Sequence, residues 1–294
     1  MKRIRKRKRK KSLLANIVVI STGLFTIFLL LFVISLSLFS IGELNATYGS
    51  VLNSGAISEF SYIRLLPQEI SLEQYKNTIW MNSDFWFSFW NSVGICLPII
   101  LGICVIGTLG GYAFARFSFP GRNICLFITI LVMMIPSQVM IPSQFRTLYE
   151  MELINHSIAV ILPNIFAPLG VYLIYQYVRK LPEDIFEAAR MDGANEFKIF
   201  AFIALPNLRG GIVSLSILTL VDVWSMIEQP MAFLQEEYKR PLAASLKWVS
   251  ETGGMSLFVS CVMFTIPMFL VFLLGKEELV EGIGQSIVSN DKER

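Results

Sequence analysis

The chain has 294 residues, of which 54% are hydrophobic and 16% charged, and its formal net charge is +3. Its mean hydropathy is +0.60. Soluble domains carry roughly 25% charged residues, so this composition excludes a soluble domain, a disordered chain, a disulfide scaffold and a nucleic-acid-binding domain, and predicts an all-α polytopic membrane protein.

Residues 1–12 form a basic tail with Lys2, Arg3, Arg5, Lys6, Arg7, Lys8, Arg9, Lys10 and Lys11. Such a cluster keeps the N-terminus in the cytoplasm and is attracted to anionic membrane lipid. Nucleic acid is not expected as its partner, because no folded nucleic-acid module accompanies it. A helix needs about 20 mostly apolar residues to cross the hydrocarbon. Residues 13–41 supply the first, since no charge separates Lys11 from Glu43. The run is too long for a signal-peptide core and no Ala-x-Ala site follows, so it is expected to be retained. Residues 42–84 are polar with scattered aromatics, and are expected outside the membrane as short surface helices.

Residues 85–275 hold five further apolar runs: Trp90–Phe114, Ile124–Ile141, Ser157–Val178, Leu208–Ile227 and Gly254–Leu274. Residues 276–294 form a charged tail. Six spans return the C-terminus to the cytoplasm. Arg116, Arg122, Arg179, Lys180, Arg190, Lys198 and Arg209 then fall on the inner side, the bias that sets orientation. Trp80, Trp86, Trp90, Trp224 and Trp248 all fall near the outer boundary, where an aromatic belt would sit.

Within the spans, Gly107, Gly111 and Ala115 repeat every four residues on one helix face. Small residues at that spacing let membrane helices approach closely, either within the chain or against a partner. Pro136, Pro142, Pro163 and Pro168 are expected to bend spans three and four. Thr219, Asp222, Ser225 and Gln229 form a polar stripe at helical spacing along span five. It lines a wet translocation path, or Asp222 reaches water by itself at the interface.

The loop of about 179–207 includes LPEDIFEAARMDGANEFKIFAFIALP. Pro182 suits the first helical position, with Glu183 and Asp184 at the positive end of the dipole. Ile185, Phe186, Ala188 and Ala189 read as one apolar face. Gly193 is placed to end the helix left-handed, and Asn195 to cap a second helix bearing Phe197, Ile199, Phe200 and Phe202. Pro206 punctuates the approach to span five. This much apolar surface calls for a partner protein or for packing against neighbouring spans.

Catalytic signatures are missing. The sequence has no P-loop, no nucleophile elbow and no zinc-protease helix. Cys96, Cys104, Cys125 and Cys261 lack metal-ligand spacing and read as buried small apolar residues. The single histidine, His156, reads as an interfacial polar residue. No catalytic residue, metal or cofactor is expected on this chain.

Glu187-Ala188-Ala189, then Asp192-Gly193, then Leu205-Pro206, resembles the EAA motif of ABC importer permeases. Asn91-Ser92, the run Gly111 to Phe117, Phe119-Pro120-Gly121-Arg122, Met134-Ile135-Pro136 and Ile141-Pro142 resemble the carbohydrate branch, of the maltose-type second-permease kind. Leu65-Leu66-Pro67 and Ser71-Leu72-Glu73-Gln74-Tyr75 resemble its outside segment.

The resemblance implies a type I ABC importer permease fold in a bacterial plasma membrane. It implies a coupling helix in the loop that docks on an ATPase, with ATP and Mg on that ATPase. Further partners would be a second homologous permease and an extracytoplasmic solute-binding protein. The solute would be a sugar or oligosaccharide. The alternatives are the same architecture for a non-sugar solute, or a secondary transporter working alone, which would call for mid-membrane ion-coupling charges and an internal repeat.

Overall fold

In hydrocarbon the backbone must satisfy its own polar groups, so apolar runs of this length wind into helices. The computed structural model describes residues 2–53, 64–246 and 257–290. Among these the chain is helical, with turns and no strand. Four helices are long and apolar enough to cross a membrane, Asn16–Ser37, Ser83–Arg116, Ser157–Lys180 and Leu257–Lys276, and two bent pairs raise the number to six if each pair is one span. The chain divides into two compact units, residues 1–85 with 248–264 and residues 86–247 with 265–294.

The first unit contains α1 (Lys2–Ser37), α2 (Ile41–Asn53) and α3 (Glu73–Ile79). Most of the apolar side chains of α1, from Ile17 to Ile34, are exposed, as a surface meant for lipid would be. Leu36, Phe39 and Leu44 are buried, with Phe32, Tyr48 and Phe258 packed against them. Gln74, itself buried, donates from Nε2 to the carbonyls of Leu36 at 3.0 Å and Phe39 at 2.8 Å. It thereby ties α3 to the last turn of α1 and to the link that follows it.

The second unit is built on α4 (Ser83–Arg116), α7 (Ser157–Ile165) and α8 (Pro168–Lys180). A Cβ added at Gly107 would lie 2.8 Å from the carbonyl carbon of Gly170, and one at Gly111 would lie 2.7 Å from the backbone nitrogen of Tyr175. The small face of α4 therefore seats α8 of the same chain, and Ala115 packs beside the core that these helices share. That core contains Ile103, Tyr112, Ile174, Val178 and Leu215.

Spans three to five depart from single straight helices. Expected over Ile124–Ile141, the third is a pair, α5 (Arg122–Met133) and α6 (Ser137–Glu150), bent by 102°. Pro136 lacks an N–H and disfavours a helical residue before it, so the ladder breaks there. Pro168 similarly starts α8 after an interruption at Phe166 and Ala167. The fifth is α12 (Arg209–Trp224), which stops three residues short of the expected Ile227. It follows residues Glu196–Asn207, from which it is bent by 67°. Those residues are α10 (Glu196–Ile199), a π-helical turn (Phe200–Ala204) and α11 (Leu205–Asn207). After α12 comes α13 (Glu228–Phe233). The expected start of span six at Gly254 lies outside the described residues; α14 runs Leu257–Asn290, beyond the expected end at Leu274.

Two expectations about exposure are corrected. Trp224 is buried rather than part of a belt, because its ring packs edge-on against Phe89 with centroids 5.9 Å apart. Trp80, Trp86 and Trp90 are exposed, while Trp248 lies outside the described residues. Cys125 is exposed rather than buried, because it sits on α5, none of whose residues is buried.

Candidate functional site

The loop of residues 179–207 folds as two helices about a glycine. Pro182 has φ −58° and ψ 137°, so it precedes the helix rather than opening it, and α9 spans Glu183–Met191. Gly193 has φ +80°. The N–H of Ala194 donates to the carbonyl of Ala189, and that of Gly193 to the carbonyl of Arg190, each at 3.0 Å. This pair of bonds is the Schellman ending, which needs a left-handed residue at the glycine position. Asn195 then caps α10, its side chain accepting from the Lys198 N–H at 2.9 Å.

The expected apolar face of α9 is divided. Phe186 and Ala189 are buried and Ile185 is partly so, but Ala188 is exposed. The reason is the helical period: Phe186 and Ala189 are three apart and share a side, while Ala188, two residues after Phe186, faces the other way. The outward side presents Glu187, Ala188, Met191 and Asp192. In the following segment Ile199 is buried, whereas Phe197 and Phe202 are exposed. Leu205 and Pro206 are exposed as well. Pro206 cannot donate, and the turn before it widens so that the Leu205 N–H reaches Phe200 O.

Three ionic and aromatic contacts fix this loop, and none was singled out from sequence. Arg116, at the end of α4, holds Glu183 by two bonds of 2.6 Å, and its guanidinium lies 3.8 Å from the centre of the Phe186 ring. The hydrogen bonds from Arg116 pull the Glu183 carboxyl below its ordinary value. Across the glycine elbow, Arg190 Nε donates to Glu196 Oε1 at 2.9 Å. A cation ending one helix and an anion opening the next both suit the helix dipoles. The available signal was opposite charges at two helix ends. A single sequence does not pair positions 67 residues apart.

The polar residues expected along span five are not one stripe. Thr219 is buried, and its hydroxyl has no hydrogen-bond partner among the described residues. Asp222 and Ser225 are exposed. Ser225 follows the last turn of α12 and donates back to the Val221 carbonyl at 2.7 Å. Because the helix stops at Trp224, Gln229 sits on α13 instead. There it is buried and joined to two amides that sequence reading passed over. Asn164 Nδ2 donates to Gln229 Oε1 at 2.8 Å, and Gln229 Nε2 donates to Gln144 Oε1 at 2.9 Å.

Residues 105–275, from mid-α4 through the loop and into α14, match the family described as binding-protein-dependent transport system inner membrane component. The chain belongs to this family. It is thus a membrane-spanning permease subunit of an ABC importer, a class that works with an ATPase and a binding protein. Curated relatives within reach of its sequence agree. It is 28% identical over 220 residues to an arabinooligosaccharides transport system permease protein of Halalkalibacterium halodurans, covering 74% of this chain and 79% of that one. It is 26% identical over 227 residues to a diacetylchitobiose uptake system permease protein of Streptomyces coelicolor, covering 75% of each. An sn-glycerol-3-phosphate transport system permease protein of Salmonella typhi is 25% identical over 252 residues, covering 82% of this chain and 89% of that one. Among solved structures, a chain of a bacterial ABC transporter involved in alginate import superposes with a TM-score of 0.74. That match covers 92% of this chain and 96% of the other at 19% identity, and it establishes the fold.

Proposed function

We propose that this permease subunit imports a sugar or oligosaccharide delivered by an external binding protein. The observation that carries the coupling part is that α9 buries Phe186 and Ala189, presents Glu187, Ala188 and Met191 outward with Asp192 just beyond its end, and finishes at the Gly193 elbow. Glu187, Ala188, Ala189, Asp192, Gly193, Leu205 and Pro206 make the coupling segment in this reading, and α9 docks on an ATPase subunit. ATP and Mg bind that subunit, two copies of which serve a pair of permeases formed by this chain and a homologous one. Both termini face the cytoplasm of a bacterial inner membrane, with the basic tail against anionic lipid. In this reading Thr219, Asp222, Ser225 and Gln229 serve the translocation path, from α12 and the segment that follows it.

The sugar reading rests on relatives named for arabinooligosaccharides, diacetylchitobiose and trehalose. A relative named for sn-glycerol-3-phosphate supports a second reading, the same architecture carrying a polyol phosphate. The test is reconstitution of the full complex in vesicles with its binding protein and a panel of labelled solutes. ATP-dependent accumulation of an oligosaccharide is the expected result. Uptake without the ATPase would indicate a secondary transporter and end the proposal.

A further inference from the structure

We infer that the Asn164–Gln229–Gln144 amide chain is a binding subsite for hydroxyl groups of the transported solute. The inference rests on the sugar-importer reading above and assigns a specific role to residues outside the coupling loop.

The three amides come from α7, α13 and α6: Asn164 is one residue from the end of α7, Gln229 one residue into α13, and Gln144 lies in mid-α6, two residues after Pro142. Their orientation follows from one fixed end. Asn164 Nδ2 donates to the backbone carbonyl of Val160 at 2.7 Å, and a carbonyl can only accept. The same nitrogen donates to Gln229 Oε1, so the Gln229 nitrogen must donate onward to Gln144 Oε1. The two bonds between the amides then run in one direction, from Asn164 to Gln144. Two groups have no partner among the described residues, Asn164 Oδ1 at the head and Gln144 Nε2 at the tail. Both side chains are half-buried, whereas the central Gln229 is buried.

Directional hydrogen-bond chains polarise their members. Gln144, accepting at its oxygen, becomes a stronger donor at its nitrogen. Asn164, donating twice, becomes a stronger acceptor at its oxygen. The pair offers one donor and one acceptor on a fixed frame. A hydroxyl both donates and accepts, so a carbohydrate hydroxyl can meet either end without a charge being buried. Half-buried amides left open toward lipid would be costly. Broken helices at membrane depth are tolerated where they line a wet cavity or are buried in protein. Phe145, next to Gln144 on α6, is braced with its ring centre 6.4 Å from that of Phe233, and adds an apolar surface of the kind a sugar's C–H face can lie on.

Gln144→Glu tests this directly. A carboxylate still accepts from Gln229 Nε2, so the chain survives, but the outward donor becomes an acceptor. In the reconstituted complex with binding protein, two quantities are read: binding-protein-stimulated ATP hydrolysis and solute imported per ATP. The expected result is hydrolysis within about twofold of wild type and solute per ATP at least fivefold lower. Equal solute per ATP in wild type and variant would overturn the inference, as would a parallel loss of both quantities, which marks a structural brace. Should Gln144→Glu fail to assemble, Gln144→Met removes the donor without adding charge, and failure of both to assemble would also assign the chain to bracing. A wild-type complex that imports no carbohydrate would instead refute the sugar reading itself, which the variants do not address.

Discussion

Arg116 and Glu183 are 67 residues apart in sequence and joined by two parallel N–H···O bonds of 2.6 Å, which tie the last residue of α4 to the first of α9. The Arg116 side chain is 7% exposed and that of Glu183 is 57% exposed. The arginine is therefore the anchored partner, held from below by the Phe186 ring, and the carboxylate is what it grips. A long membrane helix is thereby mechanically connected to the proposed ATPase-docking helix.

Arg116→Lys keeps the charge but loses both the planar fork and the stacking surface. A desolvated cation–π contact is worth about 2 kcal/mol. Opening of α9 is expected to become about 5- to 30-fold more frequent, the factor that one to two kcal/mol represents. Hydrogen exchange at the α9 amides measures this, with exchange in α8 as the internal control. Unchanged protection of α9 would show that Phe186 and Ala189 hold the helix without the arginine.

The glycines of α4 make a second prediction. Gly107→Ala and Gly111→Ala each push a methyl to within 2.8 Å of α8 atoms that include backbone, and overpacking of this kind costs typically 1–3 kcal/mol. Gly94→Ala, on the same helix, meets nothing within 4 Å. The first two variants are expected to lose thermal stability in detergent while the third keeps it. Equal melting of all three would mean that α4 and α8 separate without cost.

Much of this was legible from local patterns. The elbow at Gly193 and the cap at Asn195 follow from short-range chemistry, in which a residue type and its immediate neighbours decide the conformation. The close approach at Gly107 and Gly111 was visible as a small-residue repeat, although its partner was not, because a repeat names one surface only. The stripe from Thr219 to Gln229 failed because helical spacing was extended past a helix end; Ser225 bonds back onto the last turn and the chain redirects. Gln144 and Asn164 were invisible because amides carry no charge to mark them, and only tertiary folding brings α6, α7 and α13 together. The inward turn of Phe186 and outward turn of Ala188 depended on which side α4 and α8 would occupy.

Glu236 gives a pH prediction. Its carboxyl is pulled from an ordinary 4.5 to about 2, first by hydrogen bonding to Tyr238, then to Lys239 and Asn155. Asn155 Nδ2 donates to Glu236 Oε1 at 2.7 Å, which links the turn before α7 to the segment after α13. A depressed carboxyl stabilises the folded form above its ordinary value and loses that contribution as pH falls through the folded value. Protection of residues 234–240 from hydrogen exchange, corrected for intrinsic rates, should hold down to about pH 4.5 and decline toward pH 2. Glu236→Gln should remove that slope. A slope that persists in the variant would assign it to another group.

Gly193 offers the sharpest test of the elbow, because space and conformation separate cleanly there. A Cβ at this position meets nothing within 4 Å, so a side chain is not excluded by its neighbours. The cost is that of φ +80° alone, about 1–2 kcal/mol for an L residue. Asn tolerates the left-handed region better than Ala, and a β-branched residue fits it worst. Coupled ATP turnover with binding protein present should therefore fall in the order Gly193, Gly193→Asn, Gly193→Ala, Gly193→Val, with membrane insertion preserved throughout. The grading distinguishes conformation from contact. If ATPase docking needed only a small residue at this point, Gly193→Ala would match wild type and Gly193→Asn would be worse, the reverse of the order that backbone strain dictates.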